Sequence, residues 1–218
     1  MFLLFLWLHL SSPPLVEQSV DRALALDSAA ARSTVLIPYR AEIERAAARY
    51  ALPPALIAAV IQEESRFDPW ATRAEPKYLR NRKIRRLAAR YARRHARGAN
   101  AYTEFLDRAR SYGLMQVMGE TAREQGFLAP FLAELYIPSN AIEHGAKLLA
   151  RLLARYHGDT LAAISAYNQG SAKKRRGMFA NARYVYRVTI AWRAYDAIFR
   201  NDLRFPNGGR RYPNGGRP

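Results

Sequence analysis

The sequence predicts an all-α domain, on three observations. Between Pro138 and Tyr156 the apolar residues Ile142, Gly145, Leu149, Leu152, Leu153 and Tyr156 recur at threes and fours, the spacing of one helical face. Helix punctuation is regular: the pair Pro53-Pro54 opens a segment, and Gly158 and Gly170 close two others. No stretch alternates apolar and polar residues for long enough to claim a strand.

In chain order, residues 1–36 read as a leader or linker, with Ser-Ser-Pro-Pro at 11–14 and no sustained apolar stripe beyond the first ten residues. Those ten, MFLLFLWLHL, are too short to span a bilayer and lack a positive start. A secretion signal, a misplaced start and a buried terminal segment are all open readings of them. A first helix is expected over 38–50, with Ile43, Ala46, Ala47 and Tyr50 on one face. Leu52-Pro53-Pro54 breaks it and starts the next, since a first-turn proline forfeits no hydrogen bond. Asp68-Pro69 stops that second helix, and 66–76 is expected as a loop. A basic helix over 79–96, with Ile84, Leu87, Ala88 and Tyr91 as its buried edge, precedes another over 101–109. Ser111 to Met118 is an apolar run entered through Gly113. After Gly158, Asp159 or Thr160 caps a short helix over 161–167, and a last helix is expected over 181–199 with Tyr184, Val188, Ala191, Tyr195 and Ile198 on one face. The end, 201–218, repeats Pro-Asn-Gly-Gly-Arg and reads as a flexible basic tail.

The segment Pro53–Trp70 carries paired acids, Glu63 and Glu64. On a helical wheel its apolar residues Leu56, Ile57, Val60 and Ile61 centre near 70°, Glu64 falls at about 80° and Glu63 at about −20°. Glu64 therefore sits on the buried face, where desolvation raises a carboxyl pKa toward the range of a general acid, and Glu63 leans into water. A plain helix with a polar end is the other reading of the segment taken by itself.

The 218 residues hold no Cys, which excludes a disulfide scaffold, a thiolate metal site and a Cys nucleophile. His9, His95, His144 and His157 show no ligand spacing, so no metal and no cofactor are expected. Net charge is +17, and residues 77–97 contain ten Lys or Arg and no acid. Such a surface seeks a polyanion: nucleic acid, anionic lipid or a charged cell-wall polymer.

Three separated pieces stand together: Glu64-Ser65-Arg66-Phe67-Asp68-Pro69, Gly113-Leu114-Met115-Gln116, and Ala166-Tyr167-Asn168-Gln169-Gly170 followed by Tyr184-Val185. In that order the chain resembles the soluble-type lytic transglycosylases, over about residues 40–197. The resemblance implies a lysozyme-like helical fold, with a transglycosylase domain over 37–200, and cleavage of the β-1,4 bond between N-acetylmuramic acid and N-acetylglucosamine with formation of a 1,6-anhydro ring. It makes Glu64 the single acid and base, followed by Ser65. Gly113, Leu114, Met115 and Gln116 would wall the substrate groove, Met115 and Gln116 near the sugar. Tyr167 and Asn168 match the family's Tyr-Asn pair, and Tyr184 a tyrosine that begins the closing helix. Without the family match, Tyr167 and Tyr184 read as core tyrosines with bonded hydroxyls. The implied partner is a peptidoglycan glycan strand, the implied setting the periplasm, the cell envelope or a phage, and the protein is expected to be a monomer.

Other carboxylates compete for a catalytic place. Asp68 reads as a turn partner before Pro69. Glu75 is a candidate for the groove, and Glu104, Asp107 and Glu120 flank the Gly113–Gln116 piece. About 40 residues separate the first two motifs where the family usually has a short stretch, so 75–110 resembles an insertion found in some phage-associated and bacterial members. Its basic helix is expected to cover the groove or hold the enzyme on an anionic wall. Two other readings are a water-using lysozyme on the same fold and a nucleic-acid or virion protein on a lysozyme-like scaffold. Against the last, Tyr91 is the one aromatic suited to base stacking inside the basic helix.

Overall fold

The computed structural model describes residues 36–95 and 98–204, with side chains to residue 200. The leader expected over 1–36 and the tail over 201–218 lie outside the described residues except at their inner ends, where the last helix runs on to Arg204.

Helix α1 (Arg40–Tyr50) buries Ile43, Ala46 and Ala47 and ends at Ala51, whose N–H bonds the Ala47 carbonyl. Helix α2 (Pro54–Glu64) begins on Pro53-Pro54 as the sequence predicts, but its environment differs from the wheel reading. Every residue from Ala55 to Ile61 is buried, so α2 is not half-exposed but a central helix enclosed all round. Ala55, Ala58 and Ala59 are small enough for α1 and the last helix to close on the sides the wheel leaves to water.

The expected loop after α2 contains a strand. β1 (Thr72–Ala74) pairs antiparallel with β2 (Arg110–Tyr112), and β2 with β3 (Val117–Met118). These strands are two or three residues long, too short for period-two alternation to register in the sequence. Between β1 and β2 lie α3 (Pro76–Leu79), α4 (Arg82–Arg94) and α5 (Ala101–Arg108). The last two pack on each other around a small separate core of Ile84, Ala88 and Phe105, with Tyr78 and Leu106 against it. Asn81 and Asn100 cap α4 and α5 through their side-chain oxygens. The expected insertion is thus a helical hairpin standing on the small sheet.

Helix α6 (Gly119–Glu124) and a 3-10 turn (Leu132–Tyr136) lead into α7 (Pro138–Arg155), which buries Ile142, Gly145, Leu149 and Leu152. A Cβ at Gly145 would lie 2.4 Å from Met115 Sδ, so the glycine is what lets the Met115 side chain cross α7. Asp159 caps α8 (Thr160–Gln169) through its carboxylate, and Gly170, at φ 80°, ends it two residues later than expected. A hairpin, β4 (Lys174–Arg175) and β5 (Met178–Phe179), precedes α9 (Ala182–Arg204), which packs along α2. Tyr184, Val185, Val188 and Phe199 are its buried side chains.

Candidate active site

Glu64 is the last residue of α2, and the chain leaves it through an unusual turn. Arg66 and Phe67 both take positive φ, 55° and 64°, a conformation that costs a non-glycine residue about 1–2 kcal/mol. Local bonds brace it: the Asp68 N–H donates to the Ser65 carbonyl, and the Trp70 N–H donates to Asp68 Oδ1 at 2.9 Å. Asp68 is therefore the turn partner the sequence suggests. The Ser65 hydroxyl donates to the Leu114 carbonyl at 2.8 Å and so ties the end of α2 to the turn joining β2 and β3.

That turn is Gly113-Leu114-Met115-Gln116. Gly113 has φ 64° and its N–H donates to the Ala71 carbonyl, while a Cβ there would come within 2.5 Å of the Leu135 carbonyl oxygen. Leu114 and Met115 are fully buried in the main core. Gln116 alone of the four reaches the cleft. Its amide donates to the Ala71 and Gly113 carbonyls and its oxygen accepts from the Ser111 hydroxyl at 2.8 Å, so the side chain is fixed on three sides.

The cleft has a volume of about 440 Å³, and Glu64, Gln116, Tyr167 and Asn168 line it together with Arg73 and Glu75. The Tyr184 hydroxyl donates to Glu64 Oε1 at 2.6 Å. Burial pushes the Glu64 carboxyl up to about 7, against the Tyr184 hydrogen bond and the Arg73 charge, which pull it down, and with a small upward push from Glu63. Tyr167 donates to the Met115 carbonyl at 2.8 Å, and burial, with the Glu64 charge close by, raises its phenol well above the ordinary value. The same two causes raise Tyr184. Asn181 donates to Asn168 Oδ1 at 3.1 Å and to the Ser165 carbonyl, which fixes the Tyr-Asn end of α8 against the start of α9.

Glu64, Gln116, Tyr167, Asn168 and Tyr184 thus converge, and Glu75 joins them. Ser65, Gly113, Leu114 and Met115 do not present side chains to the cleft, because their hydroxyl, backbone conformation and apolar bulk are used to join α2, the sheet and α7. Glu63 does not lean free into water: Arg187 of α9 donates to its Oε1 through Nε at 2.7 Å. Glu104 and Glu120 lie away from the cleft, in a buried network where Arg108 bonds both and Arg123 bonds Glu104. Asp107 is drawn up by burial and also lies outside the cleft lining. Arg73 and Asn181 escape the sequence reading, since only the β1–β2 pairing and the α8–α9 junction bring them to the site. Among the described residues no cluster of three His, Asp or Glu is placed to hold a metal ion.

Residues 41–183 match the family model described as Transglycosylase SLT domain. Among solved structures, the chain is similar to an inactive mutant of the lytic transglycosylase Slt from Pseudomonas aeruginosa, with a TM-score of 0.52 and 20% identity. The match covers 82% of this chain and 27% of that one, so the chain corresponds to about a quarter of the larger protein and the likeness concerns the fold.

Proposed function

Because the chain belongs to the Transglycosylase SLT domain family, we propose that it is a peptidoglycan lytic transglycosylase that cleaves between N-acetylmuramic acid and N-acetylglucosamine and leaves a 1,6-anhydro end. The observation that carries this reading is Glu64, a carboxyl at the cleft that burial pushes up to about 7. A protonated Glu64 gives its proton to the glycosidic oxygen as the bond to the anomeric carbon breaks. The substrate's N-acetyl oxygen steadies that carbon. The Glu64 carboxylate then takes the proton of the 6-hydroxyl, whose oxygen closes the ring on the anomeric carbon. Glu64 ends as it began, and no water is consumed. Each proton transfer contributes on the order of 10²–10⁴-fold. Tyr184 sets the carboxyl's orientation and lends the conjugate base a hydrogen bond, and Tyr167 and Gln116 form fixed walls beside it.

Glu75 is the observation that favours a water-using hydrolase, because ordinary glycosidases need a second carboxylate and Glu75 lines the same cleft. Its oxygens are engaged by Arg73 at 2.7 Å and Lys77 at 3.5 Å, which suits a structural charge better than a base. Mass spectrometry of the fragments released from sacculi decides between them. Anhydro ends, lighter by one water than reducing ends, support the transglycosylase; reducing ends alone establish the hydrolase.

The reading also includes a way of staying on the substrate. Arg82, Lys83, Arg85, Arg86 and Arg93 lie exposed on α4, and such a row attracts the carboxylates and phosphates of a bacterial wall. On this reading the enzyme works at the cell envelope, or at the wall that a phage must cross, and the exposed cations of α4 support it.

A further inference from the structure

The catalytic reading uses Glu64, Gln116, Tyr167, Asn168 and Tyr184, yet a second group of residues lines the same cleft and comes from the inserted hairpin: Glu75, Lys77 and Tyr78. Their placement is built. The Glu75 N–H donates to the Ala109 carbonyl at 2.8 Å, which pins the start of α3 to the far foot of the hairpin. Arg73, close enough to Glu64 to lower its pKa, pairs with Glu75, and Glu75 in turn pairs with Lys77. Along this chain of contacts Tyr78 stands beyond Arg73 and Glu75, counted from the catalytic carboxyl. It is half-buried: its ring packs on Ile84, Ala88 and Phe105 and also borders the cleft, with the Lys77 ammonium 5.5 Å from the ring centroid.

An aromatic ring braced from behind by its own apolar core, with its remaining surface on a cleft, is a flat amphipathic platform of low conformational cost. Sugars offer such a platform an apolar face of C–H groups and polar edges. Glu75 and the exposed Lys77, whose ammonium lies over the ring and pairs with Glu75, supply an acceptor and a donor for those edges. We propose that the inserted hairpin adds a carbohydrate subsite to the cleft, in which Tyr78 carries an N-acetylated sugar unit remote from the bond being cut. This rests on the transglycosylase reading and names a part of its binding site. The small core of the hairpin then has a definite use, which is to hold Tyr78 at the cleft edge.

The test uses the full chain carrying Glu64→Gln, so that sugar is bound and not consumed, and compares a disaccharide with a hexasaccharide of β-1,4-linked N-acetylglucosamine by calorimetry. Tyr78→Phe retains the ring. Tyr78→Leu retains apolar bulk against Phe105 but removes the flat face, and thermal melting checks that its fold is intact. The expected result is that Tyr78→Leu weakens the hexasaccharide about five- to tenfold and leaves the disaccharide unchanged, while Tyr78→Phe binds both normally. Hexasaccharide binding that Tyr78→Leu leaves untouched, or an equal loss for both sugars, overturns the subsite alone. Failure of either sugar to bind the unsubstituted Tyr78 protein overturns the subsite and the functional reading together.

Discussion

The Tyr184 hydroxyl points its proton at Glu64 Oε1 across 2.6 Å, joining the first turn of α9 to the last residue of α2. Because that bond favours the ionised carboxylate, it opposes the burial that raises Glu64 to about 7. Removing it in Tyr184→Phe therefore raises the Glu64 pKa further, and the alkaline limb of the pH–rate profile moves to higher pH. The rate at the optimum falls about tenfold, the worth of one hydrogen bond to a charged group. The profile of kcat/KM against pH measures both effects.

Glu64 also opposes folding where it must ionise. Its folded pKa lies above the unfolded value of 4.5, so below that value the carboxyl is protonated in both states and costs nothing. Between 4.5 and 7 the unfolded chain releases its proton first and stability drains away; above 7 the loss is complete. Glu64→Gln, which keeps an acceptor for Tyr184, is expected to be more stable than the parent by roughly 1–3 kcal/mol at pH 8 and equal to it near pH 4. Each kcal/mol appears as about 2–4 °C in Tm, so paired melts at the two pH values check the sign.

The α4–α5 hairpin is fastened by charge. Glu104 is fully buried and bonds both Arg108 and Arg123, while Tyr91 of α4 stacks on Arg123 with its hydroxyl donating to the Ala129 carbonyl. Glu104→Ala leaves the buried Arg123 without a carboxylate partner and Arg108 with Glu120 alone, and is expected to cost about 3–5 kcal/mol in chemical denaturation. Exposed ion pairs such as Arg45–Glu42 contribute no more than about 0.5 kcal/mol, which makes Arg45→Ala the comparison.

These three cases show what could be read before the structure. Motif and wheel both point to Glu64, and its carboxyl does lie buried at the cleft, although α2 turns out to be enclosed on all sides and the carboxyl is buried by its position at the helix end. Asp68 and Asp159 are legible because a turn or cap acts on neighbours a few residues away. Leu114 and Met115 lie in a motif whose apolar half serves the core, which a motif cannot distinguish from a groove wall. The Glu104–Arg108 pair, four apart on a helix, carries no mark of burial in the sequence; its burial depends on Glu120 and Arg123, which no local rule connects to it. Arg73 reaches the cleft only through the pairing of β1 with β2 across the whole α3–α5 segment.

The exposed cations of α4 give a prediction of their own. Deleting 77–97 would remove Tyr78 and the small hairpin core as well as the charge, so substitution is the cleaner probe. Arg85, Arg86 and Arg93 are exposed, and the triple change to Gln is expected to weaken sedimentation with sacculi about tenfold at low salt and little at high salt, with Tm unaltered. Equal loss at both salt concentrations would place the effect elsewhere.

The central claim is that one carboxyl performs the chemistry, and digestion of purified sacculi by the parent and by Glu64→Gln tests it most directly, with released fragments identified by mass spectrometry. The account predicts anhydro-ended fragments from the parent and at least a thousandfold slower release from a Glu64→Gln protein that still melts cooperatively. Anhydro fragments released by Glu64→Gln at the parent rate would contradict it.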